Sequence, residues 1–150
     1  LGGGVTTDLI GFLASTFCRG TLLVNIPTTL LAMVDAAIGG KTGVNTRFGK
    51  NLIGAFYPAN KIFIDPSLLS SLPDLEWTNG VAEIVKYALI QSPELFQTIK
   101  KWTPENPVYL EKVIHECILI KAKVVQADYE ESTGLRRILN FGHTIGHALE

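Results

Sequence analysis

The apolar pattern of this 150-residue chain changes character near Pro66, and this change constrains the fold more than any other feature. Before Pro66, strand-like and helix-like segments alternate with glycine turns, a pattern typical of α/β folds. After Pro66 the pattern is helical. We therefore predict an α/β part over residues 1–66, followed by an all-helical part over residues 67–150. A joint of this kind is a common position for a ligand cleft.

The α/β part is predicted to contain two helices, two strands and a loop. A glycine turn leads to a helix over residues 8–14 with an acidic group in its first turn. Residues 21–27 predict a buried strand that ends at a proline, and residues 61–65 predict a second strand. Thr28 and Thr29 are predicted to cap a short helix that runs through Met33 and Asp35. A loop is predicted from the glycines at positions 39, 40, 43, 49 and 54.

The helical part is divided by prolines, and both ends of the chain fall inside predicted elements. Helices are predicted over residues 79–91, 94–102 and 108–128, and a last helix from about residue 135. Leu1 begins in a loop that normally follows a strand, and Glu150 lies within the last helix. We therefore expect the chain to be the middle of a longer protein.

Composition excludes several functional classes. The chain is 47% hydrophobic and 18% charged, with a net charge of −1, so it can bury a sizeable core. That charge does not favour binding to nucleic acid or an anionic membrane, and no apolar run reaches membrane-spanning length. Cys18 and Cys117 match no zinc or redox spacing, which fits a reducing, cytoplasmic setting.

The last predicted helix carries a polar stripe. At 3.6 residues per turn, Arg136, Asn140, His143 and His147 lie within about 60° of one another around the helix axis. Gly142 and Gly146 lie directly next to the two histidines. Glycine within a helix often means that another group packs very close. Metal binding, acid–base chemistry and a solvated surface are the alternatives for this stripe.

Lys121 interrupts an apolar stripe on the helix predicted over residues 108–128. A buried lysine without a partner is costly, so we predict that Lys121 faces a polar cavity or an anion. The alternative is that its side chain extends past its neighbours to solvent. Glu83 and Lys86 lie three residues apart on another helix, which is usual for a surface ion pair unless that helix is buried.

Residues 34–51 form a glycine-rich segment with two lysines, Lys41 and Lys50. Such segments can surround an anion with backbone N–H groups and lysine charge. The sequence Gly40-Lys41-Thr42 is similar to the end of a P-loop, but position 35 is Asp where that motif requires glycine. We therefore reject a P-loop. The glycines at positions 2–4 do not complete a dinucleotide-binding motif either.

Taken together, these segments resemble the 3-dehydroquinate synthase family of the sugar-phosphate cyclases. The resemblance covers residues 2–150 and is carried by six motifs in order: GGGVTTDLIGF, IPTTLLAMVDAAIGGKTGVN, GKNLIGAFYP, GVAEIVKYALI, IKAKVV and LRRILNFGHTIGHALE. The second motif contains VDAAIGGKTGVN, where cyclases that accept other sugar phosphates are expected to differ.

The resemblance implies an NAD- and zinc- (or cobalt-) dependent lyase of the shikimate pathway. Such an enzyme converts 3-deoxy-arabino-heptulosonate 7-phosphate to 3-dehydroquinate and phosphate by transient oxidation, phosphate elimination, re-reduction and aldol closure. It also implies a cytoplasmic homodimer whose small-molecule substrate is a phosphorylated sugar acid. A third zinc ligand is expected beyond Glu150, and the first part of the nucleotide-binding domain before Leu1, so this chain alone is expected to be inactive.

The resemblance also implies roles for individual residues. Glu83 and His143 correspond to metal ligands, and His147 corresponds to a proton-transfer residue. Substrate-pocket positions correspond to Asp35, Lys41, Asn51, Lys86, Lys121, Arg136 and Asn140, and Arg19 corresponds to a residue that reaches the neighbouring subunit's substrate. NAD-binding positions correspond to Gly3, Gly4, Val5, Asp8, Thr28, Thr29, Lys41 and Lys50, with Leu68 and Ser71 as further contacts. An acidic family residue corresponds to Glu130 or Glu131.

Three other functions are alternatives to this one. Another sugar-phosphate cyclase would produce a different carbocycle. A metal-dependent alcohol or glycerol dehydrogenase of similar architecture would produce NADH. A helical interaction module would use the polar stripe only for packing against a partner and would bind no divalent ion.

Overall fold

The computed structural model describes residues 1–102 and 107–145. Its helices are α1 (Gly4–Thr16), α2 (Asp74–Gln91), α3 (Pro93–Lys101) and α4 (Pro107–Ala127). Its strands are β1 (Val24–Asn25), β2 (Lys41–Thr46), β3 (Gly49–Phe56) and β4 (Lys61–Ile62). Shorter helical segments are a π-helix over Ala32–Ala36 and 3-10 helices over Phe17–Arg19, Pro66–Ser71 and Leu135–Asn140.

Helix α1 begins earlier than predicted. The N-cap is Gly3, because a parallel bridge between Gly2 and Pro27 anchors the glycine turn directly before Gly4. Two hydrogen bonds hold that turn, from Gly2 N to Ile26 O (3.1 Å) and from Thr28 N to Gly2 O (3.0 Å). The predicted acidic first turn is therefore wrong, since Asp8 lies farther along the helix.

The two predicted strands pair with each other, but over fewer residues than expected. Val24 pairs with Lys61 and Asn25 with Ile62, in parallel. The regular pairing is limited to these two residue pairs, and two further backbone hydrogen bonds accompany it, from Asn60 N to Leu23 O and from Phe63 N to Asn25 O. The prediction that the strand over residues 21–27 is buried along its length was also wrong. Leu23 and Asn25 are buried, whereas Val24 between them is exposed.

The glycine-rich segment is a β-hairpin, and the prediction of a loop was wrong. Strands β2 and β3 pair antiparallel, with Gly43 opposite Gly54. A Cβ at Gly54 would lie 2.2 Å from the carbonyl oxygen of Thr42, so this close pairing requires glycine. The glycines therefore permit tight strand pairing where propensity alone predicts irregular structure. Gly11 brings α1 against the same hairpin, because a Cβ there would lie 2.5 Å from Thr42 Cγ2.

The first three helices predicted after Pro66 are confirmed, although α2 begins earlier, at Asp74 after the N-cap Pro73. These helices and the π-helix enclose the core. Of the two predicted capping residues, Thr29 makes a capping contact, since its Oγ1 accepts a hydrogen bond from Ala32 N (3.2 Å). The largest fully buried side chains include Leu30, Met33, Leu69, Ile84, Tyr87 and Leu95. A Cβ at Gly80 would lie 2.5 Å from Leu30 Cβ, so glycine lets α2 approach the π-helix segment.

The last predicted helix is interrupted. The 3-10 helix over Leu135–Asn140 ends at Phe141, whose backbone is extended, and Gly142 has φ of +82° before helical residues resume at His143. A continuous α-helix was therefore a wrong prediction at this point. The expectation of close packing at Gly142 was also wrong, since a Cβ there would meet nothing within 4 Å. His147 and Gly146 lie outside the described residues.

Within the described ranges, no helix combines the length and apolarity needed to cross a bilayer. The two cysteines are both free thiols, Cys18 exposed and Cys117 buried.

Candidate active site

A small polar cavity lies where the π-helix, α2, α4 and the last 3-10 helix meet. Its volume is about 130 Å³. Seven residues singled out in the sequence line it together with Leu139; they are Asp35, Lys41, Lys86, Lys121, Arg136, Asn140 and His143. The structure therefore brings together residues from both sides of Pro66.

Lys121 pairs with Asp35 in this cavity. Lys121 Nζ donates to Asp35 Oδ1 (2.8 Å) and to the Asp35 backbone carbonyl (2.6 Å). The lysine is buried, at 6% exposure, so the prediction that it faces a polar cavity and an anion is confirmed. Burial lowers the pKa of Lys121, and the charge of Asp35 opposes that effect.

Asp35 stays ionised because its partners overcome the cost of burial. Burial raises the pKa of Asp35, but the charges of Lys121 and Lys86 and the hydrogen bonds from Lys121 and Tyr87 lower it to about 2. The Tyr87 hydroxyl donates to the same Oδ1 at 2.5 Å. Burial, reinforced by Asp35, raises the pKa of the Tyr87 phenol, so this hydroxyl remains a donor.

Glu83 joins two of the predicted residues. The carboxylate forms an ion pair with Lys86, and its Oε1 lies 3.3 Å from Nε2 of His143. Lys86 is buried, so the alternative of a surface ion pair does not hold. Among residues 1–102 and 107–145, no group of three or more His, Cys, Asp or Glu side chains is arranged to hold a metal ion. Glu83 and His143 thus provide two potential ligands.

Arg136 is buried at the other side of the cavity and is held by backbone carbonyls. Its Nη1 donates to Tyr129 O (2.6 Å) and its Nη2 to Gly39 O (2.8 Å). Gly39 has φ of +95°, and a Cβ there would lie 2.9 Å from Arg136 Nη2 and 3.0 Å from Val125 Cγ2. Glycine is therefore required here both for its backbone conformation and for space.

A wider cleft of about 500 Å³ adjoins the cavity and shares Lys41 with it. Asp8 of α1, Asn51 of β3 and Glu131 also line this cleft, and Lys41 forms an ion pair with Glu131. Burial and the charge of Asp35 raise the pKa of Asp8 to about 6, although Lys121 acts in the opposite direction.

The amino end of α1 forms a third feature of the site. Gly3 and Gly4 approach the π-helix segment so closely that a Cβ would lie 2.9 Å from Thr29 Cγ2 and 3.2 Å from Ala36 Cβ, respectively. Val5 is exposed in the first turn, and Thr28 lies beside Gly2 through its backbone hydrogen bond. The first backbone N–H groups of a helix lack intrahelical acceptors, so this end suits an anion.

Several predicted site residues lie away from the cavity and the cleft. Arg19 and Lys50 are exposed and line neither. Leu68 packs against the core from the 3-10 helix Pro66–Ser71, and Ser71 is exposed at the end of that helix.

Sequence reasoning missed Tyr87 and Gly39. Tyr87 lies four residues after Glu83, so helical spacing alone could have indicated that both share one face of α2. Gly39 is followed directly by Gly40, and this pair of glycines is visible in the sequence. The contact of Gly39 with Arg136, however, depends on the tertiary structure.

Comparison with known proteins assigns the family. Residues 1–79 match the family model described as 3-dehydroquinate synthase N-terminal, and residues 80–150 match the one described as 3-dehydroquinate synthase C-terminal. The chain belongs to the 3-dehydroquinate synthase family. A 3-dehydroquinate synthase from Pyrococcus abyssi is 55% identical over 152 aligned residues, which cover 100% of this chain and 45% of that protein. The chain therefore spans less than half the length of this relative.

Solved structures of sugar-phosphate cyclases share the fold. The 2-epi-5-epi-valiolone synthase of Streptomyces hygroscopicus subsp. jinggangensis 5008, with NAD+ and Zn2+ bound, superposes with a TM-score of 0.88 at 39% identity, over 95% of this chain and 41% of that one. A 2-deoxy-scyllo-inosose synthase complexed with carbaglucose-6-phosphate, NAD+ and Co2+ gives a TM-score of 0.84 at 33% identity, over 99% and 41%.

Proposed function

We propose that this chain is the central part of a 3-dehydroquinate synthase. The reaction converts 3-deoxy-arabino-heptulosonate 7-phosphate to 3-dehydroquinate and phosphate. The observation that carries the proposal is the convergence of Asp35, Lys86, Lys121, Arg136 and His143 on one cavity, in a chain of this family. Three buried cations at one cavity, Lys86, Lys121 and Arg136, suit a substrate that has both a carboxylate and a phosphate.

The proposed domain organisation follows the change in secondary structure. Residues 1–66 would be the C-terminal portion of an NAD-binding α/β domain, and residues 67–150 the N-terminal portion of a helical metal- and substrate-binding domain. The described strands all lie in the first of these ranges, and helices α2 to α4 all lie in the second. Without the remainder of each domain, this chain would be inactive.

NAD fits the amino end of α1. Gly3 packs closely against Thr29, and Thr28 hydrogen-bonds to Gly2. The first backbone N–H groups of α1 lack intrahelical acceptors, which would suit a pyrophosphate at this end. Val5, Asp8, Lys41 and Lys50 would approach the nicotinamide half, with Leu68 and Ser71 as further contacts. A solved relative of similar fold binds NAD+.

A divalent metal fits Glu83 and His143. Their carboxylate and imidazole approach within 3.3 Å, and oxygen with nitrogen is a donor set that suits Zn2+ or Co2+ when further ligands come from outside the described residues. When bound, the metal would polarise the substrate hydroxyl that is oxidised. NAD+ would supply the oxidant for that step, and the NADH so formed would return its hydride to the ketone, so that no net NADH accumulates.

The other polar residues would bind substrate and move protons. Lys121 and Arg136 would hold its anionic groups, and Lys86, which pairs with Glu83, would add a third cation. Asn140 and Asn51 would hydrogen-bond substrate oxygens, and Asp35 would accept from a hydroxyl. His147 would exchange protons with the substrate. In a homodimer, Arg19 would reach the partner's substrate, which agrees with its exposure.

Identity favours this reaction over that of another cyclase. The chain is 55% identical to a 3-dehydroquinate synthase but 39% and 33% identical to two cyclases that make other carbocycles. A cytoplasmic location is part of the proposal, since the shikimate pathway supplies aromatic amino acids inside the cell.

The test is turnover by the full-length protein. We expect it to convert the heptulosonate phosphate to 3-dehydroquinate with release of phosphate and without net formation of NADH. Activity restricted to another sugar phosphate would favour a different cyclase. Accumulation of NADH with a polyol would favour a dehydrogenase. A protein with no bound divalent ion and no turnover would favour an interaction module.

A further inference from the structure

Tyr87 is fully buried, and yet its hydroxyl contacts Asp35, a residue that lines the cavity. Its ring lies in the core between α2 and the π-helix segment, with 0% exposure. Its hydroxyl donates to Asp35 Oδ1 at 2.5 Å. The ring also has Lys86 Nζ 4.9 Å from its centroid. Tyr87 therefore contacts two charged residues of the site without lining the cavity itself.

The hydrogen bond from Tyr87 determines how the Asp35 carboxylate is oriented. An ionised carboxylate only accepts hydrogen bonds, so the phenol must be the donor. Oδ1 receives both the Tyr87 hydroxyl (2.5 Å) and Lys121 Nζ (2.8 Å). Two donors on one oxygen prevent rotation of the carboxylate and leave Oδ2 directed away from them.

Lys121 in turn depends on that orientation. An ammonium group has three N–H donors, and two of those of Lys121 are taken by Asp35, one by Oδ1 and one by the backbone carbonyl. The remaining donor is available to a ligand in the cavity that Lys121 lines. A change in the Asp35 carboxylate would redirect this donor, because the lysine side chain is buried and has few other positions.

We propose that Tyr87 is a positioning residue for the reaction, which fixes Asp35 so that Lys121 presents its third N–H to the substrate. The inference rests on the proposed function. It assigns no direct substrate contact to Tyr87. It predicts that removing a single buried oxygen atom will lower activity while leaving the fold intact, because the ring that fills the core is kept.

The test compares Tyr87→Phe with Tyr57→Phe in the full-length enzyme. Tyr57 is a matched control because its hydroxyl also donates a short hydrogen bond, to Thr21 O at 2.6 Å, but it lines neither the cavity nor the cleft. We expect Tyr87→Phe to lower kcat/KM for the heptulosonate phosphate about tenfold, the effect of one hydrogen bond to a charged group. Tyr57→Phe should retain the unmodified rate. Tyr87→Phe should melt at a lower temperature because it loses a buried hydrogen bond to a carboxylate, but it should remain fully folded at the assay temperature.

A double-mutant cycle with Lys121→Met separates positioning from a structural role. If Tyr87 acts through Lys121, then Tyr87→Phe should cause no further loss of kcat/KM in the Lys121→Met enzyme. Equal losses in both backgrounds would overturn the proposal, as would unmodified activity in Tyr87→Phe or a loss of activity that follows loss of folded protein. If the unmodified enzyme fails to convert the heptulosonate phosphate, the proposed function itself is wrong.

Discussion

Oε1 of Glu83 lies 3.3 Å from Nε2 of His143, although one residue belongs to α2 and the other follows the last 3-10 helix. The same carboxylate pairs with Lys86, so an anion behind the cavity wall joins a cation and an imidazole that both line the cavity. This meeting point is what a divalent metal would need from the described part of the chain.

Removal of either candidate ligand should reduce metal content. We expect His143→Ala and Glu83→Gln in the full-length enzyme to weaken zinc binding at least about tenfold, as measured by metal analysis after dialysis. His115→Ala is the control, because His115 is exposed on α4 away from the cavity. His147→Ala should retain the metal and lose rate. Equal metal loss in His143→Ala and His147→Ala would contradict these assignments.

Replacing Lys121 should impair binding more than folding. Lys121→Met removes the main counterion of Asp35, so we expect a loss of about 1 to 3 kcal/mol in the free energy of unfolding and a higher KM for the heptulosonate phosphate. Lys123→Met on the same helix is the control, because Lys123 is exposed. Urea unfolding and steady-state kinetics measure both effects. A more stable Lys121→Met enzyme with unchanged kinetics would mean that Lys121 has no role in the site.

Substitution of Gly39 should disturb Arg136. Alanine at this position adds a Cβ 2.9 Å from Arg136 Nη2 in a backbone with φ of +95°. Gly134→Ala is a matched control, since its φ is +83° but its nearest contact would be 3.9 Å away. Backbone strain of about 1 kcal/mol is common to both variants. We expect only Gly39→Ala to lose further stability and substrate affinity, and equal effects would show that the contact with Arg136 is unimportant.

Asp8 and Asp35 should affect the pH dependence of stability in opposite directions. The folded-state pKa of Asp8 is raised from 3.8 to about 6, so its ionisation costs stability as pH rises through that range. Asp8→Asn should therefore gain stability relative to the unmodified protein above pH 6, by about 1 to 2 kcal/mol after allowance for its partial exposure. Urea unfolding at pH 4 and pH 7.5 measures this. A constant difference between the two pH values would contradict it.

Ionisation of Asp35 has the opposite effect on the stability of the folded protein. Its folded-state pKa is lowered from 3.8 to about 2, so it contributes stability above pH 3.8 that is lost as pH falls toward 2. Asp35→Asn should therefore be less stable than the unmodified protein at neutral pH, and the two should converge in acid. A difference that persists unchanged to pH 2 would show that the charge of Asp35 is not what stabilises the fold.

The burial of Lys121 could be predicted because apolar periodicity on a long helix is a local property. Ile114, Cys117 and Val124 define the buried face, and Lys121 falls on it. The identity of its partner could not be predicted in this way. Asp35 is distant in sequence, and the pairing depends on the packing of α4 against the π-helix.

Two predictions from glycine content failed for different reasons. The glycines of residues 39–54 indicate irregular backbone by propensity, but hydrogen bonds between β2 and β3 form a hairpin. Gly142 was expected to allow close packing, whereas it supplies a positive φ at a break between helical segments. Glycine has both uses, and the surrounding structure decides which applies.

The amino-acid sequence by itself determined the three α-helices between Pro66 and Asp128 and, through six motifs, the resemblance to a family that the comparisons confirm. Only the tertiary structure decided that Glu83 meets His143, that Tyr87 donates to Asp35 and that Gly39 makes room for Arg136. The physical reason is the distance along the chain over which each kind of interaction acts. Periodicity and capping act between neighbours along the chain, whereas ion pairs and buried hydrogen bonds form between groups that only the packed fold brings together.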